Sequence, residues 1–404
     1  MSSARERAGY HRVAMSVGAR PDSWRNVVIL SASQALAASA GPFVMLSGGI
    51  VGERLAPSPL LATLPITALI VGLACATVPV SAFIHRVGRR AAFVTGAAVS
   101  SGASLLAAQA VASENFAAFC ASTFVLGAGG ACVQQYRFAA AESVDARHTG
   151  RAVSLVLVGG IIAGAIGPEI ARRGRQWFGT EFSGAFVLVA IIQIVAMAVL
   201  ASLRMRPAAA ATSRGQQLGL GALFAHSSFV LAVAGAGSAS AVMSFLMTAT
   251  PISMHVHDAL SIDEAAFVIQ SHVIAMYAPS LVTGWLVDRL GVARMMAAGV
   301  AAIGGAISAT AAGHTLAAYW MGLVLLGLGW NLLFIGATVL VSQSFGPPER
   351  FRAQGLNDLV VFSSQAVASL AAGAVLYRFG WVAMNLMAAP LLLLVLVLIA
   401  RRER

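Results

Sequence analysis

Apolar stretches of about 20 residues recur along the whole chain, separated by short polar segments. A helix of about 20 apolar residues is long enough to cross the roughly 30 Å of hydrocarbon in a bilayer. The pattern therefore predicts twelve membrane-spanning helices, at approximately 27–50, 60–84, 91–112, 116–140, 152–170, 184–203, 225–251, 264–287, 294–312, 316–341, 356–377 and 381–400.

Composition leads to the same interpretation. Hydrophobic residues make up 58% of the 404, and charged residues make up only 10%. Soluble domains carry about 25% charged residues, so this chain has too few charges for a surface that faces water. We expect an all-α, multi-pass membrane protein whose main partner is the lipid bilayer.

The polar segments divide the chain. We predict a basic cytoplasmic arm (1–26), a first six-helix half (27–203) and a cytoplasmic linker (204–224), followed by a second half (225–400) and a cytoplasmic tail (401–404). The arm has no apolar core, so it does not have the pattern of a cleaved signal peptide.

The distribution of arginine predicts the orientation. The chain has no lysine, and cytoplasmic termini leave five of its 26 basic residues outside: Arg54, Arg172, Arg173, Arg175 and Arg378. Cytoplasmic loops are the basic ones in inner-membrane proteins, so both termini are predicted to be cytoplasmic in a bacterial inner membrane. The three arginines at 172–175 either contact lipid head groups or indicate that the fifth span is misplaced. The net charge of +11 needs no nucleic acid, because basic loops facing anionic lipid account for it.

An internal repeat relates the two halves. The loop after the second span reads SAFIHRVGRRA and the loop after the eighth reads GWLVDRLGVAR, which aligns Arg86-Val87-Gly88 with Arg289-Leu290-Gly291 at an offset of 203 residues. Parallel repeats of six helices are one of the architectures of membrane transporters.

These loops resemble the G-x-x-x-D-R-x-G-R-R signature of the major facilitator superfamily. The matching residues are Arg86, Gly88, Arg89 and Arg90 in the first copy and Gly284, Asp288, Arg289 and Gly291 in the second. The resemblance implies the major facilitator fold, transport by alternating access, and a cytoplasmic latch formed by these residues.

The fifth span contains the glycine-rich sequence GGIIAGAIGPEI. It resembles a degraded form of the Gly-Pro motif of proton-coupled drug exporters. The other interpretation is close packing of small residues, which drives helix association in membranes generally.

Methionine and histidine cluster in the seventh and eighth spans. Met243 and Met247 are four residues apart, as are His272 and Met276, so each pair lies on one helical face. Met243 and His272 both lie about eight residues, roughly 12 Å, from the outer ends of their spans. Thioether and imidazole are neutral donors that suit Cu(I), which makes these four residues a predicted copper site. Packing is the alternative role of the methionines.

The pair M-x-x-x-M and H-x-x-x-M resembles the motifs of the CcoA-like branch of the superfamily, which includes copper importers and riboflavin carriers. That resemblance implies copper as a transported substrate rather than a cofactor. Met254, His255 and His257 follow the seventh span and are predicted to capture the ion first. The three cysteines, Cys75, Cys120 and Cys132, are predicted to be buried small residues without a disulfide.

A second set of polar residues falls within the spans and is predicted to line a central cavity: Gln34, Gln134, Arg137, Asn331, Asn357 and Asp358, with Gln365 nearby in the eleventh span. Such side chains are suited to hydrogen-bond the isoalloxazine ring and ribityl chain of a flavin. No phosphate-binding loop or H-E-x-x-H motif is present, so we expect no enzyme. The leading hypothesis is a monomeric copper importer, and the alternatives are an importer of riboflavin or another small organic solute and a proton-coupled exporter.

Overall fold

The computed structural model describes residues 24–145, 148–205, 220–345 and 347–403. The described chain consists of helices and turns, without a strand among those residues. Most of the predicted arm (1–26) and most of the predicted linker (204–224) lie outside the described residues.

The first half forms six helices along the predicted spans. Two of them are interrupted: α1 consists of Trp24–Ala37 and Ala40–Leu55, and α4 of Phe116–Val133 and Tyr136–Glu142. The other four are continuous and are α2 (Leu64–Val87), α3 (Arg89–Ala112), α5 (Thr149–Gly174) and α6 (Ser183–Ala201). Helices are expected here because backbone groups inside a bilayer must pair within the protein.

The second half repeats this arrangement. Its first four helices are α7 (Ser227–Ile252), α8 (Ile262–Tyr277 and Ser280–Leu290), α9 (Val292–Ala311) and α10 (Leu316–Ser344). A π-helical turn, Ser253–His257, extends α7. The helix Pro347–Met387 is interrupted at Gly380 and is followed by Ala389–Glu403. We label 347–379 as α11 and 381–403 as α12.

The number of membrane crossings depends on Gly380. Eleven segments of the described chain are long and apolar enough to span a membrane, and the last of them, Ala353–Arg402, has 50 residues. About 20 residues are sufficient to cross a bilayer. The chain turns back at Gly380, since Arg402 returns to the neighbourhood of Gly291. The predicted twelve-helix fold in two halves is therefore confirmed.

Three interhelix turns use the same backbone conformation. Gly88, between α2 and α3, and Gly291, between α8 and α9, have φ of 84° and 77°, and Gly380 has φ of 77°. Backbone conformations with positive φ favour glycine, because a residue with a Cβ atom is strained in them. We call the membrane end that carries Gly88 and Gly291 the basic-loop face, and the other end the opposite face.

The two halves are joined at the opposite face. Three polar contacts link them: Thr67 Oγ1 to Ser369 Oγ at 2.9 Å, Arg172 Nε to Asp263 Oδ1 at 2.8 Å, and a hydrogen bond from the Tyr377 hydroxyl to the Glu53 carboxylate. One buried core there includes Ile50 of α1 and Ile252 of α7. At the basic-loop face a separate core is confined to the first half and contains Phe93, Tyr136 and Val156. The halves therefore separate toward the basic-loop face.

Candidate functional site

A cavity of about 250 Å³ lies between the halves. Its polar lining comes from both halves: Gln34, Ser100, Gln134 and Gln193 from the first, and His272, Tyr277 and Gln365 from the second. The remaining wall is made mainly of apolar side chains and of backbone at small residues. A mostly apolar cavity with a few convergent polar groups is typical of a small-molecule site.

The four predicted Met and His ligands converge on this cavity. Met243, Met247, His272 and Met276 all line it, with exposed fractions of 9%, 3%, 1% and 9%. Helices α7 and α8 both pack against α10, and both faces contribute to the lining of one cavity. The predicted convergence is thus present in the fold, and the role of these side chains as metal ligands stays a prediction.

A hydrogen bond determines the orientation of the His272 ring. Its Nδ1 lies 2.7 Å from the backbone oxygen of Leu323 on α10. Because a carbonyl oxygen only accepts, Nδ1 carries the hydrogen and Nε2 of the neutral ring keeps its lone pair. Nε2 is buried and has no hydrogen-bond partner among the described residues. The ring therefore presents an unused acceptor beside the cavity.

Gln193 of α6 shows the same arrangement in the first half. Its Nε2 donates to the backbone oxygen of Ala37 at 3.1 Å, where α1 is interrupted. Its Oε1 is buried and has no hydrogen-bond partner in the described chain. Sequence reasoning missed Gln193 and Tyr277. A glutamine in the otherwise apolar run of α6 was the available signal, since polar groups inside a span are costly.

Asn331 holds the interruption of α8 instead of lining the cavity. Its Nδ2 donates to the Met276 backbone oxygen at 2.7 Å and to Ser280 Oγ at 2.6 Å, and its Oδ1 accepts from Thr283 Oγ1 at 3.0 Å. Pro279 lacks an N–H and cannot continue the helical hydrogen bonds. The side chain of Asn331 compensates for that interruption and does not line the cavity in this conformation, and its role toward a solute stays a prediction.

Three further predicted cavity residues lie outside the lining. Arg137 of α4 acts electrostatically on both Asp358 of α11 and Tyr277 of α8, and Arg137 and Asp358 do not form a direct ion pair. Its guanidinium lies 4.8 Å from the ring centroid of Phe138. Asn357 is buried next to Asp358 in the chain, and its Oδ1 has no hydrogen-bond partner among the described residues. The opposite charges of Arg137 and Asp358, on different halves, therefore interact without forming an ion pair in this conformation.

The signature residues at the basic-loop face make contacts within each half. Arg89 forms a bidentate pair with Glu142 of α4, with Nε to Oε2 at 2.8 Å and Nη2 to Oε1 at 2.5 Å. Arg86 and Arg90 are exposed. Arg289 lies over the Trp285 ring at 4.4 Å. Gly284 is described only as part of the helix, and the side chain of Asp288 lies outside the described residues, so the predicted latch roles of both stay predictions.

The arginines at the opposite face pair with carboxylates. Arg172 and Arg173 pair with Glu169, and Arg172 also reaches Asp263 of α8. Arg175 pairs with Glu181. These ion pairs give the arginine cluster a structural role, and α5 continues through Arg172 and Arg173 as a regular helix.

The predicted capture residues do not form one surface cluster. Met254 is fully buried, and His255 Nδ1 is bonded to the Leu260 backbone oxygen at 2.8 Å. His257 is exposed and packs edge-on against Tyr377. Met254 is therefore not exposed to solution in this conformation, and the capture role of the three residues stays a prediction.

The cysteines lie away from the cavity lining. Cys132 is buried and Cys120 is half-buried, while Cys75 is exposed, contrary to the prediction of burial. Among the described residues, no group of three or more His, Cys, Asp or Glu side chains is arranged to hold a metal ion.

Comparison with known proteins identifies relatives along the full chain. The family model of the Major Facilitator Superfamily matches residues 27–257 and 233–404. The riboflavin transporter RfnT of Brucella anthropi is 39% identical over 376 residues, which cover 92% of this chain and 94% of that protein. The uncharacterized MFS-type transporter YdeG of Bacillus subtilis is 29% identical over 402 residues, 94% of this chain and 92% of that protein.

Solved structures share the fold at low sequence identity. The nucleoside transporter NupG is 13% identical and superposes with a TM-score of 0.71, covering 92% of this chain and 98% of that chain. A bacterial homologue of the lysosomal transporter Spinster, in an inward-facing and unoccupied conformation, has a TM-score of 0.69 at 15% identity, covering 90% of this chain and 84% of that chain.

Proposed function

The chain belongs to the Major Facilitator Superfamily, and from this premise we propose that it carries riboflavin or a close flavin analogue across the membrane. The observation that carries the proposal is the 39% identity to a riboflavin transporter along almost the full length of both chains. As a member of this superfamily the chain is a transporter and not an enzyme. The flavin alternative of the sequence analysis is thus favoured over its leading copper hypothesis.

The cavity supports an organic solute. A water molecule has a share of about 30 Å³ in the liquid, so 250 Å³ is far more space than one desolvated ion requires. The glutamine amides, the Tyr277 ring and the methionine side chains together offer hydrogen bonds and apolar contact. A flavin has a flat ring system with a polar edge and a hydroxylated chain. Its ring faces would contact the apolar wall, and its polar edge and hydroxyl groups would hydrogen-bond the polar side chains.

Copper import receives no comparable support. The relative that is 39% identical along nearly the full length of both chains is a riboflavin transporter, and the three cysteines do not line the cavity. Methionine fills irregular apolar space around aromatic rings through its flexible thioether. We propose that Met243, Met247 and Met276 form such an adaptable wall for a flavin ring.

The contacts between the halves support a transport cycle by alternating access. The halves meet at the opposite face through Thr67–Ser369 and Arg172–Asp263, and they separate toward the basic-loop face. We propose that the other access state reverses this arrangement by rocking of the two halves around the central cavity. The solute would then leave or enter through the opposite face.

Orientation and assembly are part of the proposal. We propose that the basic-loop face is cytoplasmic in a bacterial inner membrane, because basic loops remain on that side. Reporter fusions near residues 210 and 258 would then report opposite sides of the membrane, and the same side for both would contradict it. Because both halves of one chain build the cavity, we also propose that the monomer is the working unit.

Uptake in cells provides the test of the substrate. A riboflavin auxotroph without its own importer, expressing this chain, is expected to grow on low external riboflavin and to accumulate labelled riboflavin. Cellular copper is measured in the same cultures by mass spectrometry and is expected to match the empty-vector control. Riboflavin uptake at the vector level with well-expressed protein would contradict the proposal, and a rise in copper alone would restore the copper hypothesis.

A further inference from the structure

Two buried hydrogen-bond acceptors beside the cavity have no partner in the described protein. They are Nε2 of His272, on α8, and Oε1 of Gln193, on α6. Both residues line the cavity, and their exposed fractions are 1% and 2%. Each half of the protein therefore contributes one of them.

The chemistry of both atoms is determined by their neighbours. Nδ1 of His272 donates to the Leu323 backbone oxygen at 2.7 Å, and Nε2 of Gln193 donates to the Ala37 backbone oxygen at 3.1 Å. A backbone oxygen cannot donate, so the ring tautomer and the amide orientation both follow. Each side chain therefore offers a lone pair: Nε2 of His272 accepts as long as the ring is neutral, and the Gln193 amide cannot turn a donor toward the cavity without breaking its bond to Ala37.

Unsatisfied buried acceptors are rare in folded proteins, and each one calls for an explanation. A solute that donates to them regains hydrogen bonds that the empty protein lacks. A solute without donors leaves them unpaired and binds less well. Sites of this kind discriminate strongly against analogues that lack the donor.

We propose that His272 Nε2 and Gln193 Oε1 together select a solute with at least two hydrogen-bond donors. One donor would bond to His272 in the second half, and the other to Gln193 in the first half. The inference rests on the proposed function, which supplies the chemical class: a flavin has a ring imide N–H and, on its ribityl chain, several O–H groups. The two acceptors favour neutral solutes with N–H and O–H donors over anions and solutes that only accept hydrogen bonds. A solute that bridges both halves also stabilises their approach during the cycle.

Competition between flavins tests this inference with the unmodified protein. Uptake of labelled riboflavin by cells expressing the full chain is measured against unlabelled riboflavin, 3-methylriboflavin and lumiflavin. The methyl group removes the imide donor, and lumiflavin lacks the ribityl hydroxyls. Both analogues are expected to compete at least about tenfold less well than riboflavin. Equal competition by all three would overturn the inference while leaving riboflavin transport itself established.

Substitutions assign the selection to the two residues. His272→Leu and Gln193→Leu each remove one acceptor. In each variant, one of the two analogues is expected to compete as well as riboflavin does. His272→Asn is expected to keep part of the discrimination that His272→Leu loses, because an amide can still present an oxygen acceptor. Steric exclusion of the added methyl group would persist in all three variants, so discrimination that is unchanged in all of them would also overturn the inference.

Matched controls separate selection from folding. His226→Phe and Gln109→Leu change exposed residues away from the cavity lining and are expected to keep both preferences. If a cavity variant no longer transports, binding of the three flavins to the purified variant is measured by quenching of flavin fluorescence, with the same expected ratios. No riboflavin uptake by the unmodified protein would instead contradict the proposed function, so the two failures are distinguishable.

Discussion

His272 of α8 donates a hydrogen bond to the backbone oxygen of Leu323 of α10 across 2.7 Å. This contact uses the hydrogen on Nδ1, so Nε2 is the ring nitrogen that has a lone pair and no hydrogen-bond partner in the described chain. It also joins two helices of the second half at the depth of the cavity. The histidine that the sequence singled out is thus a fixed, neutral acceptor.

Loss of the methionine thioethers separates the flavin and copper interpretations. Met243→Ala and Met276→Ala shorten two side chains of the cavity wall and are expected to reduce riboflavin uptake, because apolar contact with the solute is lost. Cellular copper is expected to stay at the level of the unmodified protein, as measured by mass spectrometry. A fall in copper with unchanged riboflavin uptake would favour the metal site.

The interruption of α8 depends on the side chain of Asn331. Asn331→Leu removes three side-chain hydrogen bonds and is expected to lower the free energy of unfolding by about 1–3 kcal/mol. Thermal unfolding in detergent measures this loss. The control is Gln365→Leu, an amide in the cavity lining for which no side-chain hydrogen bond is seen in the described chain. It is expected to reduce transport at nearly unchanged Tm, and equal Tm values for both variants would contradict the role of Asn331.

Close packing of α5 against α8 needs a glycine at position 164. A Cβ atom at Gly164 would lie 2.4 Å from Cγ1 of Val273. Val273 is the residue that follows His272 on α8. Gly164→Leu therefore forces the two halves apart at this depth. Such overpacking costs about 1–3 kcal/mol, and transport is expected to fall at least roughly tenfold while the protein still inserts. This contact favours the packing interpretation of the glycine-rich sequence.

Gly102 of α3 offers the matched control for this prediction. A Cβ atom there meets nothing within 4 Å, and the residue is exposed. Gly102→Leu is expected to transport normally at equal expression. Normal uptake by Gly164→Leu would show that α5 and α8 need not approach so closely during the cycle.

The charges of Arg137 and Asp358 lie on different halves and interact without direct contact. We expect them to form an ion pair when the halves close at the basic-loop face. Arg137→Gln and Asp358→Asn should each lower the transport rate by roughly tenfold, since a pair worth about 1.4 kcal/mol is lost from one access state.

The charge-reversed double variant provides the internal test of that pair. Arg137→Asp with Asp358→Arg restores opposite charges and is expected to recover part of the lost transport, measured as initial uptake rates. A double variant that is no better than the worse single variant would indicate that the two residues act independently.

The sequence was sufficient to predict the class of protein and its helices. Apolar runs of 20 residues can be satisfied in a bilayer only by helices, so spans could be located without knowledge of the tertiary structure. The repeat of Arg86-Val87-Gly88 and Arg289-Leu290-Gly291 predicted two related halves, because the two copies lie half a chain apart. The structure adds that both glycines form turns with positive φ. The spacing of Met243, Met247, His272 and Met276 predicted two helical faces, and both faces line the cavity.

Only the tertiary structure decided which polar groups are already satisfied. Asn331 and His272 looked alike in the sequence as polar residues inside apolar spans. In the fold, all the hydrogen bonds shown for Asn331 go to α8, whereas His272 keeps one free acceptor beside the cavity. Gln193 was missed because its significance depends on Ala37, 156 residues away. The hydrogen-bond partners of these side chains lie on helices that are distant in sequence. The periodicity of residues along one helix does not predict them.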